Sequence, residues 1–224
     1  MKILFYFDNR SINDATIYYI KLIEKAVNSL GIQMLHCSTL RAVKKNNINA
    51  NDIIFTITDN YYCKAKFRFP FNKTIYWAQG IAPEEYLLSS SKKGVKYFLK
   101  KLIEYTAIST TDFLFAVSTK MIDHYSMVYK YSRKAHIIMP CYNLNYETGL
   151  SVKLEKKYET PSFVYAGNMA AWQCVEETIQ IYKFIEDNIP NASLTILTKD
   201  IKAANNLANK YQVKKITIKS VSLE

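Results

Sequence analysis

The chain has 224 residues, enough length for one large domain or two small ones. Its net charge of +11 comes mostly from lysine, with Arg10, Arg41, Arg68 and Arg133 as the arginines. Base-edge and bidentate phosphate recognition favour arginine, so nucleic acid is set aside as a partner, and an anionic membrane surface or a phosphorylated substrate fits the charge.

In chain order, "MKILFYFDNRS" is too short an apolar run for a secretory leader, and Lys2 to Phe7 reads as a first buried strand. "NDATIYYIKLIEKAVNSLG" then places Ile17, Ile20, Ile23, Ala26, Val27 and Leu30 at helical spacing, with Gly31 as its stop. Ile32 to Cys37, Asn51 to Thr58 and Thr74 to Trp77 read as strands, and a helix is predicted from about Lys93 to Thr106. "DFLFAVS" is a strand, "KMIDHYSMVYKY" a helix and "AHIIMP" a strand. Residues 142–160 are polar and lack sustained periodicity, as a linker does. The pattern restarts with "SFVYAG" as a strand, "EETIQIYKFIEDNIP" as a helix, "ASLTILT" as a strand, "IKAANNLANKYQ" as a helix and "KITIKS" as a strand.

Short buried strands alternating with helices require parallel pairing through crossovers. The predicted class is therefore α/β: an N-terminal Rossmann-like parallel-sheet domain over 1–141, a linker over 142–160 and a second, partial Rossmann-like unit over 161–224. Three strands and two helices make half of a doubly wound domain, so the expectation is a fragment or a second unit without a core of its own. No segment is apolar for long enough to span a bilayer. Cys37, Cys63, Cys141 and Cys174 form no CxxC or Cys/His cluster, and His36, His124 and His136 have no metal spacing. The expectation is a cytoplasmic protein with no disulfide, no metal and no cofactor.

The corner "TIYWAQGIAPEEYL" carries the first candidate site. Ligands of open α/β sheets bind beyond the carboxyl ends of the strands, where Gln79 offers an amide and Gly80 permits close backbone approach. Pro83, Glu84 and Glu85 suit a first helical turn, whose macrodipole carboxylates stabilise; either carboxylate is also a candidate base toward a bound hydroxyl. Asp8, Asn9 and Arg10 end the first strand and are candidate cleft residues. So is Ser118, which also suits an N-cap. Gly167 and Asn168 follow a strand and precede a helix, a place where turn and helix-terminal amides bind phosphate, and also ordinary turn chemistry. Trp172 and Gln173 are candidate base or sugar contacts, and Lys199 is a candidate phosphate partner at the end of "SLTILT".

"SKKGVKYFLKKLIEY" interleaves Lys92, Lys93, Lys96, Lys100 and Lys101 with Val95, Tyr97, Phe98, Leu99, Leu102 and Ile103. The favoured expectation is a helix with its apolar side in the core and its lysines solvated. The alternative is a basic amphipathic helix lying on an anionic membrane surface, which would make the protein peripheral at the inner face of the membrane.

Two α/β units joined by a polar linker resemble the GT-B glycosyltransferases, most closely their retaining, "group 1" branch. "IYWAQGIAPEEY" is similar to the loop after a central N-terminal strand of that branch. "FLFAVSTKMIDHY" is similar to its strand–helix junction, "IIMPCYN" to the turn into its second domain, and "FVYAGNMAAWQCVEETIQIYKFI" to the opening of its donor-binding domain. The resemblance implies transfer of a sugar from a nucleotide-sugar donor to a glycan or lipid-linked acceptor, in cell-surface polysaccharide synthesis. It assigns Gln79, Gly80, Glu84 and Glu85 to the acceptor-side, catalytic region and Gly167, Asn168, Gln173 and Lys199 to the donor. Two departures stand out. "FDNRSIND" lacks the glycine pair of many members, and "GNMAAWQC" lacks the cations that often hold the diphosphate. The donor-binding glutamates of the family have no counterpart in these residues, so this chain alone is expected to transfer no sugar. A non-catalytic GT-B-like partner subunit and a nucleotide-sugar epimerase of the same fold are the alternatives.

Overall fold

In this computed structural model the described residues are 1–7, 12, 14–90, 92–132, 135–139 and 159–221. The chain folds as two compact units, Met1–Asn143 and Leu144–Glu224. Most of the expected linker, 142–158, lies outside the described residues, as do Asp8, Asn9, Arg10 and Cys141.

Unit 1 runs β1 (Lys2–Tyr6), α1 (Asp14–Ser29), β2 (Gln33–Cys37), α2 (Leu40–Lys45), β3 (Ile53–Thr56), α3 (Asp59–Arg68) and β4 (Lys73–Ala78). It continues with α4 (Ala82–Ser90), α5 (Val95–Thr110), β5 (Phe113–Ala116), α6 (Thr119–Tyr129) and β6 (His136–Ile138). Its six strands form one sheet in the order β2-β1-β3-β4-β5-β6, every pairing parallel. Alternation along β1 explains the two covered faces. Ile3 and Phe5 join Ile20 of α1, Phe55 and Trp77, whereas Leu4 and Tyr6 join Val43 of α2 and Ala65 of α3. A third cluster sets Tyr76, Ala78, Leu114 and Ala116 against Tyr62 of α3, Ile108 of α5 and Tyr125 of α6. The chain steps from β1 outward to β2 and then back to β3 on the other side. The order reverses between β1 and β3, the kind of place along the carboxyl edge where ligands of open α/β sheets generally bind.

Two helices differ from the expected elements, since α2 and α3 have no counterpart among them. α3, "DNYYCKAKFR", is mostly polar and buries only Asp59, Tyr62 and Ala65, too few apolar positions for a readable period. Capping defines its start instead, through the Thr58 side chain accepting the Tyr61 N–H.

Unit 2 runs β7 (Ser162–Ala166), α7 (Val175–Asn188), β8 (Ser193–Leu197), α8 (Ile201–Lys210) and β9 (Ile216–Lys219), a parallel sheet in the order β7-β8-β9. Val175, Ile179 and Tyr182 of α7 and Ala204 of α8 close over Leu194 and Ile196, which gives this unit its own apolar cluster. The Glu186 carboxylate of α7, itself buried, accepts the backbone N–H groups of Lys214 and Lys215 and pairs with Lys183 at 3.3 Å, tying α7 to the turn before β9.

Candidate functional site

Gln79 and Gly80 leave the carboxyl end of β4, next to β3 and one strand away from the reversal of strand order. The Gln79 side chain is exposed, and its Oε1 accepts the Thr16 hydroxyl at 3.2 Å. Thr16 is buried in the first turn of α1, so one hydrogen bond joins the end of β4 to the helix that follows β1. Nothing in the sequence pointed to Thr16, because a threonine in an amphipathic helix carries no signal of a partner 63 residues away.

The corner is tightly supported. Tyr125 of α6, fully buried, donates its hydroxyl to the Gly80 carbonyl at 3.3 Å. Glu85 folds back over the glycine, where a Cβ on Gly80 would stand 1.9 Å from Glu85 Oε1. Gly80 thus permits a close approach, and the approaching group is the flexible Glu85 carboxylate of the following helix, α4. Glu84 is exposed beside the Tyr97 hydroxyl; burial and this carboxylate push the Tyr97 phenol up. Both glutamates occupy the first turn of α4, as the helix dipole favours.

Beneath the corner lies a carboxyl group that sequence reasoning missed. Glu104 of α5 is completely buried, accepts the Ala82 N–H at 3.0 Å and accepts the Tyr129 hydroxyl at 2.7 Å. Burial is the main reason its pKa is pushed up to about 7, with the charges of Asp59 and Glu84 adding to it and the two hydrogen bonds opposing. Asp59, buried at the start of α3, is raised by the same cause, against the pull of Lys100. Carboxylates in a single helix read as solvated charges, and only the packing of α4, α5 and α6 reveals this one as interior.

Ser118 is the N-cap of α6, its hydroxyl accepting the Met121 N–H at 3.2 Å. It stands at the carboxyl end of β5, on the same sheet edge as Gln79.

In unit 2, Gly167 and Asn168 follow β7, and the next helix opens one residue before its predicted start at Glu176. A 3₁₀ turn at Ala171–Gln173 intervenes, and α7 opens at Val175. The Gly167 N–H is committed to the Leu197 carbonyl at 3.0 Å as an extension of the ladder. A Cβ on Gly167 would meet the Tyr165 hydroxyl oxygen at 2.7 Å, and that hydroxyl donates to the Asn168 carbonyl at 2.5 Å. Asn168 Oδ1 accepts the Ala170 N–H at 2.9 Å, an Asx turn. The glycine serves tyrosine packing, and the asparagine folds the loop. Gln173 and Lys199 are both exposed, Lys199 just past the carboxyl end of β8, the strand beside β7.

The basic segment departs from its favoured expectation. α5 begins at Val95, and its buried residues are Tyr97, Glu104, Ala107 and Ile108. Val95, Phe98, Leu99 and Leu102 are exposed, so most of the apolar side faces away from the core. The inner face of α5, with Tyr97, Glu104, Ala107 and Ile108, packs against α3, α4 and α6. Among the described residues no group of His, Cys, Asp and Glu is arranged to hold a metal ion, and no helix is long and apolar enough to cross a membrane.

No protein-family model matches the sequence, and no curated protein matches it. Solved structures do. Sucrose-phosphate synthase from Thermosynechococcus elongatus matches with a TM-score of 0.69 at 10% identity, over 99% of this chain and 71% of that one. S. aureus MnaA, in its co-structure with UDP, matches with a TM-score of 0.60 at 11% identity, over 99% of this chain and 69% of that one. TarM matches with a TM-score of 0.58 at 8% identity, over 80% of this chain; the chain spans 35% of TarM's length. Identities this low carry the fold alone. That fold is GT-B, a Rossmann-like parallel α/β unit followed by a second, smaller parallel α/β unit.

Proposed function

We propose that the chain works on a nucleotide-activated sugar, as a GT-B glycosyltransferase or a segment of one. In this reading it transfers the sugar to a glycan or lipid-linked acceptor in cell-surface polysaccharide synthesis. The observation that carries the reading is the Gln79–Gly80 corner. It has an exposed amide and a folded-back carboxylate at the carboxyl edge of the sheet, one strand away from the strand-order reversal, an edge at which open α/β sheets generally receive ligands. Gln79 is the donor to an acceptor hydroxyl, and Glu85 is the group placed to take that hydroxyl's proton. Glu84 is more exposed and contributes charge at the start of α4. Ser118 lines the same edge while capping α6. Asp8, Asn9 and Arg10, which lie outside the described residues, are kept as proposed ligand contacts.

Unit 2 is the nucleotide side of the proposal. Asn168, Gln173 and Lys199 follow the carboxyl ends of neighbouring strands, and Lys199 supplies positive charge toward a diphosphate. With the Gly167 amide already bonded, Gly167 contributes loop shape rather than a phosphate contact. The likeness to MnaA, which was solved with UDP, favours a uridine nucleotide. Rate enhancement then rests on positioning the two substrates and stabilising the leaving diphosphate.

The test is calorimetric titration with UDP and a panel of UDP-sugars, beside transfer assays on this chain and on any longer form of the polypeptide. The expected result is saturable UDP binding weakened severalfold by Lys199→Ala, and transfer lowered at least tenfold by Gln79→Ala and by Glu85→Gln wherever transfer is measurable. Saturable binding with no transfer in any form would favour the non-catalytic subunit. No binding of any nucleotide or nucleotide sugar would overturn the reading.

A further inference from the structure

The outer face of α5 is an exposed apolar stripe with lysines around it. Its core side is Tyr97, Glu104, Ala107 and Ile108. At about 100° per residue, Val95, Phe98, Leu99, Leu102 and Tyr105 fall on the opposite side in one stripe. These side chains are open to solvent, with Val95 77%, Phe98 60% and Leu102 60% exposed. Leu88 of α4, which packs against α5, is another exposed apolar side chain, also at 60%.

Charge surrounds this stripe in a defined way. Lys96 and Lys101 fall on its two flanks, roughly 100° to 125° from its centre, while Lys100 turns toward Asp59 on the core side. Lys92 and Lys93, both exposed, stand just before the helix. The N-cap is Gly94, with no side-chain cap bond, and the first turn has no acidic residue. Lysines at a helix N-terminus oppose the macrodipole. The local cost has no compensating partner within α5, so the positive field of the first turn adds to the positive end of the dipole and draws an anionic partner.

The composition chooses the kind of partner. Protein interfaces are depleted in lysine. An apolar stripe of Phe, Leu and Val flanked by lysine stems, whose heads reach outward, is the pattern of a helix lying in a headgroup layer. We propose that unit 1 docks on an anionic lipid bilayer through α5, with Val95, Phe98, Leu99 and Leu102 entering the acyl boundary and Lys92, Lys93, Lys96 and Lys101 at the phosphates. Lys96 also stands over the Tyr86 ring of α4 at 5.3 Å. Docking of α5 therefore carries α4, and with it the Gln79–Gly80 corner, to the membrane surface.

The proposal is independent of sugar transfer, and its test needs no nucleotide. The full chain is floated with vesicles of phosphatidylcholine alone or rich in phosphatidylglycerol, at low and high salt, with circular dichroism confirming the fold of each variant. Binding is expected only with phosphatidylglycerol and is expected to fall as salt rises. Phe98→Ser with Leu102→Ser should weaken it at least tenfold, and Lys92→Gln, Lys93→Gln and Lys96→Gln together should weaken it to a similar degree. Equal binding to neutral vesicles, no binding to either, or unchanged binding by the Phe98/Leu102 variant would each overturn the proposal. So would a dimer in sedimentation that the Phe98/Leu102 variant abolishes, because that result assigns the stripe to a second copy of the chain.

Discussion

Glu104 and Ala82 are joined at 3.0 Å, a buried carboxylate of α5 accepting the backbone N–H at the start of α4. Helix N-termini leave N–H groups without intrahelical partners. Here the partner comes from the next helix in the chain, and its second oxygen takes the Tyr129 hydroxyl of α6 at 2.7 Å. Three helices around the candidate corner thus converge on one side chain whose pKa burial raises to about 7.

That convergence fixes a pH dependence. The folded pKa of Glu104 is pushed up to about 7 from an ordinary value of 4.5. The folded state therefore holds this proton more tightly than the unfolded chain. The resulting stability is fully present below 4.5 and is lost as pH rises through about 7. Asp59 is raised as well and acts in the same direction. Asp52 and Asp112 act oppositely and at lower pH. Burial works against their charge, but backbone N–H bonds and nearby lysines outweigh it and hold both below 3.8, so their contribution is lost only as acid protonates them. Urea denaturation read on Trp77 fluorescence in a Trp172→Phe background should show unit 1 losing about 3 kcal/mol between pH 5 and 8. Glu104→Gln should flatten most of that slope, and a slope unchanged by the substitution would count against the assignment.

Gly80→Ala forces a specific rearrangement. The new methyl would meet Glu85 Oε1 at 1.9 Å, and that atom is the free end of a flexible side chain. The stability cost should stay under about 1 kcal/mol while the Glu85 carboxylate is displaced. Denaturation measures the first effect and transfer activity the second. A loss above about 2 kcal/mol would mean that the backbone, not Glu85, has to give.

Ser118→Ala separates a cap from a catalytic contact. The hydroxyl accepts the Met121 N–H at 3.2 Å, and removing such a cap costs about 1 kcal/mol. Thermal melts of Ser118→Ala and Ser118→Asp should differ by about that amount, because aspartate restores the acceptor. Any loss of transfer that persists in Ser118→Asp would give the hydroxyl a role beyond capping.

Glu186→Ala should act on unit 2 alone. It strips the Lys214 and Lys215 N–H groups of their acceptor and leaves Lys183 without its 3.3 Å partner. These donors are only part-buried, so losing their acceptor should cost about 1 to 3 kcal/mol in total. Hydrogen exchange should show α7, β8 and β9 losing protection while the strands of unit 1 keep theirs. Uniform loss in both units would contradict the division of the chain into two units.

The sequence alone determined the parallel α/β class, because strands buried on both faces must be short apolar runs and must be separated by crossovers. Lys2 to Phe7 and Asn51 to Thr58 were legible for that reason, and so was the place of Gln79 and Gly80 at a strand's carboxyl end; Ser162 to Gly167 was legible as a short apolar run although β7 is largely exposed. Helices whose stability comes from capping and a few contacts were not legible: α3 buries Tyr62 and Ala65 amid polar residues and depends on Thr58 for its start. Tertiary structure alone decided which side of α5 meets the core, since a helix with apolar residues on several sides has no preferred face until neighbours occupy one. α3, α4 and α6 took the face of Tyr97, Glu104, Ala107 and Ile108, leaving Phe98 and Leu102 outside. It also decided the partners of Thr16, Glu104 and Tyr125, because hydrogen bonds between residues 22 to 63 positions apart depend on where the elements pack, and no local pattern encodes that.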